Sequence, residues 1–537
     1  MRCFLSTVLI AWTVLAAPHA QSAAPLGTLT FPNSGSAKAQ ADFIRGVAWL
    51  HSFGYEEAID AFRRAQQIDP GFVMAYWGES LSFSQPLWFF EEPAKGRAAL
   101  AKLGATPAAR MAKTTTPREQ GFLRAVEALW GQGNTTARAR AYADQMAKVA
   151  ADNPADDEAQ VFYALALLGT MPTGDAALPI RKQAGAIAER VFAKNPNHPG
   201  AAHYILHAYD HVTLAARALP AARRYAKIAP AASHALHMPA HAFVQLGLWD
   251  EAAATDEASW KASIDWAARR KLSVAIRDYH SLTWLHYEWT QQGRFSQAKA
   301  ALAFVDEAMK AATPGATVGG HHGGDSEIGR GSGPAALRND KGSMRARYVI
   351  ESARWTEMKG QASFDNVDEL FALGFSAVKL GDASRAAAVI EELGKAARAE
   401  PAPEFRAQAE VMLREMEALD LFAQNKRVEA FARMDQAYAL QSRMPKPIGR
   451  PYPVKPADEL YGELLLEVGR AKDAVAWFER ALARTPNRSR AVLGLARAYR
   501  GAGNVAEANA AYQRFLANWR LADPMLPELA EARAAVK

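Results

Sequence analysis

Residues 469–486 read GRAKDAVAWFERALARTP, and residues 503–515 read GNVAEANAAYQRF. Three pairs of equivalent residues are each 34 residues apart: Gly469 and Gly503, Ala474 and Ala508, and Phe478 and Tyr512. Small residues let two helices approach closely, an aromatic ring fills the gap to the next pair, and Pro486 ends the second helix. The spacing therefore predicts stacked helix-turn-helix units.

The same marks recur elsewhere in the chain, after Tyr55, after Pro230 and around Trp284. A 34-residue period of paired helices is typical of the tetratricopeptide repeat, whose units stack into a solenoid. We therefore predict an all-α fold, a helix-turn-helix solenoid of the tetratricopeptide type that forms a right-handed superhelix.

The first residues have the features of a secretory signal. Met1 and Arg2 precede an apolar run at 4–17, and small residues follow at 20–24, which predicts a cleaved signal peptide and export to the periplasm. The whole chain then divides into a signal peptide at 1–22, an N-terminal repeat array with a histidine-rich groove at 38–312, a Gly-rich insertion loop at 313–343, degenerate helical repeats at 344–443, a Pro-rich connector at 444–456 and C-terminal repeat units at 457–537.

Composition excludes several classes of function. The formal charge of +7 is small for 537 residues and comes without basic runs interleaved with aromatic residues, so no nucleic-acid partner is predicted. Cys3, the only cysteine, lies in the predicted signal, which excludes disulfides and thiolate ligands in the mature chain. No later stretch offers about 18 uninterrupted apolar residues, so no membrane span is predicted.

Seven of the thirteen histidines lie between His198 and His241, and two pairs of them repeat the 34-residue spacing. In tetratricopeptide proteins the first helix of each unit lines the concave groove, an assignment that comes from the family. With unit boundaries at Pro230 and Gly247, seven polar side chains face one groove and form the predicted metal site: His203, His207, Asp210, His211, His234, His237 and His241.

Neutral imidazoles with one carboxylate suit zinc, copper, nickel or iron. The same frame adds four candidates for ligand binding in the groove: His51, Trp77, Glu79 and His280. His198 is predicted to mark a helix boundary, and His286 to face the packing side. The predicted ligand is a small molecule or a peptide; a metal-free groove that binds an extended peptide of a protein partner is the alternative.

Catalysis is not predicted. The chain has no His-Glu-x-x-His helix, no Gly-x-Ser-x-Gly turn and no phosphate-binding Gly-rich loop. A metalloenzyme of the hydrolase or oxygenase type stays open as a second alternative, with metal-activated water and Asp210, Glu79 or a spare histidine as the general base.

Four segments carry a resemblance to a known family: His51–Phe53 with Tyr55–Ala58, Met74–Glu79, His203–His211 and His234–His241. Together they resemble a bacterial family of exported tetratricopeptide-repeat proteins, and more distantly the tetratricopeptide repeat protein 38 group. The resemblance covers most of the mature chain. It implies the fold and the location of the site, and little about a reaction.

Overall fold

The computed structural model describes residues 25–312 and 333–537. The helices of the first range are α1 (Gln40–His51), α2 (Tyr55–Ile68), α3 (Val73–Leu81), α4 (Pro93–Leu103), α5 (Pro107–Met111), α6 (Pro117–Leu129), α7 (Thr135–Asp152), α8 (Asp157–Leu168), α9 (Leu178–Lys194), α10 (Pro199–Ala208), α11 (Ala215–Ile228), α12 (Ser233–Leu246), α13 (Trp249–Arg269), α14 (Tyr279–Gln291) and α15 (Phe295–Ala311). The second range holds α16 (Pro334–Ser352), α17 (Val367–Lys379), α18 (Ala383–Ala399), α19 (Pro403–Ala423), α20 (Arg427–Gln441), α21 (Ala457–Glu467), α22 (Ala471–Arg484), α23 (Ser489–Gly501), α24 (Val505–Asn518) and α25 (Pro527–Ala535). Short 3-10 helices occupy Pro86–Trp88, Gly174–Ala177, Val274–Ile276 and Trp355–Met358.

Consecutive helices pack against each other as pairs, because each has one apolar face. In α22, Ala474, Phe478 and Ala481 are buried at spacings of four and three residues, which places them on one side of the helix. The turn between the two helices of a pair often needs a residue with left-handed backbone conformation, which glycine adopts easily. Gly247 and Gly293 occupy such turns, with φ of 68° and 69°. The predicted all-α solenoid of helix-turn-helix units is confirmed.

One small element departs from the helical pattern. Strands β1 (Ser84–Gln85) and β2 (Phe90–Glu91) pair antiparallel around the 3-10 turn Pro86–Trp88. This hairpin follows α3 and contacts α8. Trp88, at the end of this turn, lies beside His234, one of the histidines predicted to line the groove.

Two hydrophobic cores fill the described residues, one extending from Leu26 to Tyr287 and the other from Ala253 to Ala532. The Gly-rich loop was predicted to end at Ser343, but α16 already begins at Pro334, a residue favoured in the first turn of a helix. The rest of that loop and the predicted signal peptide lie outside the described residues. The Pro-rich connector contains no helix between α20 and α21.

Within the described ranges, none of the helices combines the length and apolar character that crossing a bilayer requires.

Candidate metal centre

Six histidines on three neighbouring helices form two groups of three. Helices α10, α12 and α14 are the first helices of consecutive units, and their histidines lie at the second, fifth and ninth places. Site 1 consists of His203, His207 and His234, and site 2 of His237, His241 and His280. Within each group one ring nitrogen per residue lies within 4.8 Å of the others.

Site 1 brings three Nε2 atoms together. The Nε2 of His207 lies 3.0 Å from the Nε2 of His203 and 3.2 Å from that of His234. A tetrahedral ion bound by imidazoles at 2.0–2.1 Å separates its ligand nitrogens by about 3.3 Å. The observed separations are close to what one small ion would require.

A main-chain hydrogen bond fixes the orientation of one ring in site 1. Nδ1 of His203 donates to the carbonyl oxygen of His51 at 2.6 Å, and since a carbonyl only accepts, the proton is on Nδ1 and the lone pair of the neutral ring is on Nε2. Burial and the neighbouring His203 ring lower the pKa of His207 well below its usual 6.5. At site 1, His207 is therefore a neutral imidazole at ordinary pH.

Site 2 has the same arrangement, with carboxylates behind the rings. The Nε2 atoms of His237 and His241 are 3.0 Å apart, and their Nδ1 atoms donate to Asp256 at 2.7 Å and to Asp210 at 2.9 Å. Burial alone would raise the pKa of Asp210, but His241 lowers it below the usual value, so this carboxylate is ionised. With Nδ1 of His241 directed at this carboxylate, its Nε2 faces His237.

The second carboxylate of site 2 lies in an acidic pocket. Burial raises the pKa of Asp256 well above its usual value, and Glu288 beside it raises it further. Burial also raises the pKa of Glu288, to about 8. This pair therefore holds a proton at neutral pH in the absence of a nearby cation.

Aromatic rings border both sites. The Phe53 ring lies 4.3 Å from the His203 ring, and Trp88 of the hairpin lies 5.2 Å from His234. At site 2, Trp284 stacks on His241 with 4.3 Å between the ring centroids. His207, His241 and His280 keep partial exposure, so both sites reach solvent on one side.

The two sites are built alike. Each takes the fifth and ninth residues of one first helix and the second residue of the next first helix. Helix α12 serves both, because His234 completes site 1 while His237 and His241 begin site 2. The structure thus divides the predicted cluster into two, and it brings His280, predicted only as a ligand-binding residue, to the second.

Two residues predicted as metal ligands lie elsewhere. Helix α10 ends at Ala208, so Asp210 and His211 are not on its groove face as the repeat frame assumed. Asp210 instead accepts from Nδ1 of His241, and the ring nitrogens of His211 contact Thr213 and Asp175. Asp210 is a positioning residue, and His211 lies outside both groups.

Two further candidates, Trp77 and Glu79, have the surroundings of residues that stabilise the fold. Trp77 is fully buried among the rings of Phe31, Phe122 and Phe162, where it is part of the core rather than the groove. Glu79 is buried and ion-paired with Arg63 and Lys102. Although burial raises its pKa, hydrogen bonds led by that from Lys102 lower it overall, which argues against a neutral acid at this position.

A third group consists of His51, Glu158 and His198. The sequence analysis considered the two histidines but not Glu158. Nε2 of His51 lies 2.8 Å from one oxygen of Glu158, and Nε2 of His198 lies 3.0 Å from the other. Nδ1 of His198 accepts from the backbone of Ala201, which confirms its predicted place at a helix boundary. Against the effect of burial, the two histidines lower the pKa of Glu158 to about 2. This buried network joins α1 and α8 to the residue that precedes α10.

The chemistry of sites 1 and 2 is that of nitrogen ligation. Three convergent imidazoles bind borderline transition metals and leave a further coordination position for water or a ligand atom, and hydrogen bonds orient the outer nitrogens of His203, His237 and His241. Without an ion, these nitrogens cannot all be paired by hydrogen bonds. Nε2 of His207 lies near the Nε2 atoms of both His203 and His234, and one nitrogen can donate to only one of them.

The C-terminal units match a family model of known repeats. Residues 465–535 match a family model described as "Tetratricopeptide repeat". The chain is similar to a chain of the APC/C hetero-tetramer Cut9-Hcn1 (12% identity, 95% of this chain and 79% of that one, TM-score 0.29) and to yeast Tom70 (12% identity, 93% and 95%, TM-score 0.30). A search of curated protein sequences finds no match.

Proposed function

We propose that this tetratricopeptide-repeat solenoid is an exported protein that binds one transition metal ion at each of sites 1 and 2. The observation that carries the proposal is the convergence of two sets of three ring nitrogens at separations near those of a tetrahedral ion. Hydrogen bonds from the outer nitrogens of His203, His237 and His241 support it, because such bonds orient the rings of metal-bound histidines.

The ligand set favours zinc or copper(II), with nickel and iron(II) as weaker candidates, because imidazole suits all four and no thiolate is present in the predicted mature chain. With three protein ligands, each ion keeps a position for a carboxylate, carbonyl or water. In this proposal a small molecule or a peptide in the groove supplies that atom. The resemblance to exported bacterial repeat proteins and the apolar run at 4–17 support export.

The test is metal analysis of untagged protein. We expect the mature chain to take up two equivalents of Zn²⁺, measured by mass spectrometry of the metal after dialysis and by calorimetric titration. His207→Ala and His241→Ala should each lose one equivalent, because each removes one ligand from one site. The N-terminus of the same preparation tests export: cleavage between Ala20 and Ala23 is expected, and retained Met1 contradicts it.

His211→Ala is the matched control, since this histidine is nearby but belongs to neither group. It should keep both equivalents. If the wild-type chain takes up no Zn²⁺ or Cu²⁺, or if His211→Ala loses as much metal as His207→Ala, the metal proposal fails.

A protein-interaction scaffold is the second candidate, and the repeat fold favours it. In that case the groove binds an extended peptide without metal, and the imidazoles act as hydrogen-bonding groups. Peptide binding that is indifferent to chelator but weakened in His241→Ala would favour the scaffold. Hydrolysis or oxygenation that requires added metal and is lost in the same variant would favour a metalloenzyme.

A further inference from the structure

A cavity that is open to solvent lies between α18, α19 and α20. Its volume is about 430 Å³, within the range of about 300–1,000 Å³ that is typical of small-molecule sites. None of the six histidines of sites 1 and 2 lines it. A ligand bound here would therefore be independent of the metal proposed at those sites.

Small and apolar side chains form one part of the wall. Gly394 and Ala397 of α18 and Ala439 of α20 take up little space, which leaves room between the helices. Leu413 of α19 and Leu440 of α20 supply larger apolar surfaces and are only partly buried. A ligand with an apolar part would remove these two surfaces from water, which favours its binding.

Positive charge predominates in the rest of the wall. Three arginines line the cavity, Arg398, Arg414 and Arg443, and the one acid that lines it is Glu410. Nη1 of Arg414 donates to the two oxygens of Glu417 at 2.9 and 2.7 Å, so a carboxylate already balances this arginine. The uncompensated cations are the other two arginines.

The guanidinium groups of Arg398 and Arg443 are both exposed, so a ligand can reach them. In the parts of the chain that the structure describes, neither group has a hydrogen-bond or ion-pair partner. Arg398 lies on α18, and Arg443 follows the end of α20. A Cβ atom at Gly394 would lie 3.3 Å from Nη1 of Arg398, so this guanidinium lies against the wall of the cavity. Guanidinium groups bind carboxylates through two parallel hydrogen bonds.

The balance of unpaired charges indicates how much negative charge the ligand carries. Glu410 also has no partner among the described residues, so two unpaired arginines and one unpaired acid leave a single positive charge. One carboxylate group matches that charge, whereas a phosphate dianion would exceed it and would be repelled more strongly by Glu410.

We propose that this cavity is a binding site for a small organic carboxylate, whose charged group lies between Arg398 and Arg443 and whose apolar part covers Leu413 and Leu440. The arginines select for the negative charge, and the leucines select against ions without an apolar part. Glu410 limits the affinity by repulsion.

The test compares benzoate with benzamide, which has the same ring and no charge, and with inorganic phosphate. Binding to the full mature chain is measured at neutral pH by calorimetry and by NMR of the probe. A chelator is present throughout, so that a metal ion at site 1 or 2 cannot bind the carboxylate. We expect benzoate to bind more tightly than either of the other two probes.

Substitutions of charged residues locate the binding. Arg398→Gln and Arg443→Gln should each weaken benzoate about 3- to 10-fold, because each removes one charged hydrogen-bonding partner. Glu410→Gln should strengthen it, because the repulsion is lost. Lys395→Gln is the matched control and should leave binding unchanged, since Lys395 is exposed on α18, pairs with Glu391 and does not line the cavity. None of these four side chains is buried, so the variants should fold.

A filled cavity provides the second readout. Ala439 is exposed and lines the cavity, whereas Ala432, two turns earlier on the same face of α20, is exposed and does not line it. Ala439→Phe should abolish benzoate binding, and Ala432→Phe should leave it unchanged. The proposal is overturned if benzoate binds no more tightly than benzamide, if neither arginine substitution weakens it, if Glu410→Gln weakens it, or if the two alanine variants behave alike.

Discussion

Hydrogen bonds behind three of the imidazole rings, those of His203, His237 and His241, determine which nitrogen these histidines turn towards their neighbours. The carbonyl of His51 acts on His203 and the carboxylate of Asp210 acts on His241, so a main-chain atom and a side chain play the same role in the two sites. The metal role proposed for these histidines requires such partners. At the scale of single residues, Asp210 was predicted as a metal ligand, and in the structure its carboxylate accepts a hydrogen bond from Nδ1 of His241.

His286 offers a contrast, because it is fully buried and neither ring nitrogen has a hydrogen-bond partner. Burial, reinforced by Arg347 and Arg450, lowers its pKa from 6.5 to about 3. The unfolded chain therefore binds the proton first as the pH falls, and stability is lost from pH 6.5 down to about 3. At pH 5 this single group destabilises the fold by about 2 kcal/mol relative to pH 7.5.

We expect His286→Leu to remove that part of the pH dependence, since leucine is apolar and does not titrate. Urea unfolding at pH 7.5 and pH 5 measures it: the wild type should lose about 2 kcal/mol more than the variant between the two pH values. At pH 7.5 the substitution should be nearly neutral, because no hydrogen bond is removed. An equal loss in both proteins would show that His286 is already protonated or solvated in the folded chain.

At the scale of helices, the repeat frame alone places the second, fifth and ninth residues of α10 and α12 on one face. The 34-residue spacing therefore predicted which histidines share a groove. It did not predict the pairing with His280, because α13 has 21 residues where α11 has 14, and the longer helix changes the spacing to the next unit. The repeat frame also placed Trp77 in the groove, whereas its ring is buried in the core. Local periodicity does not distinguish a side chain that faces a groove from one that faces a core.

A close approach of two helices supports site 1. Gly200 of α10 lies against His51 of α1, and a Cβ atom at Gly200 would come within 2.4 Å of Nδ1 of His51. Alanine would favour the helix by up to about 1 kcal/mol. The clash outweighs this gain, because overpacking in a rigid core costs about 1–3 kcal/mol.

We expect Gly200→Ala to lower the free energy of unfolding and to weaken Zn²⁺ at site 1 more than at site 2, because His203 depends on the His51 carbonyl. Thermal unfolding and zinc titration measure the two effects. Gly71→Ala is the control, since its nearest contact would be Asp69 at 3.6 Å, and it should stay within about 0.5 kcal/mol of the wild type. A stable Gly200→Ala protein with both sites intact would show that α10 can move without affecting site 1.

At the scale of the whole molecule, units distant in sequence are in direct contact. Nε1 of Trp249 donates to the carbonyl of Asn487 at 2.8 Å, and the hydroxyl of Ser489 donates to the carbonyl of Gln291 at 2.6 Å. The sequence analysis could not foresee this, because a repeat pattern describes neighbouring units and not the meeting of units some 200 residues apart. These contacts join the C-terminal units to the helices that carry site 2.

Arg488 lies at the centre of this junction. It is fully buried, and its guanidinium lies 2.6 Å from Glu351 of α16 and 2.7 Å from Glu459 of α21. Opposite charges around it outweigh the effect of burial and raise its pKa well above the usual value. Removing one partner from such a group leaves the other charges buried without compensation.

We expect Arg488→Leu to lower the free energy of unfolding by about 3–5 kcal/mol, because Glu351 loses its cation and Glu459 retains only Lys455. Arg497→Leu in α23, the helix that begins directly after Arg488, removes an ion pair with Glu531 that is 43% exposed on the arginine side, and it should cost at most about 1 kcal/mol. Urea unfolding followed by tryptophan fluorescence compares the two variants, and hydrogen exchange locates the change. If the junction holds distant units together, exchange in α14 should accelerate in Arg488→Leu and not in Arg497→Leu. Equal effects of the two substitutions would mean that the buried charges add nothing to the joining of the C-terminal units to the rest of the solenoid.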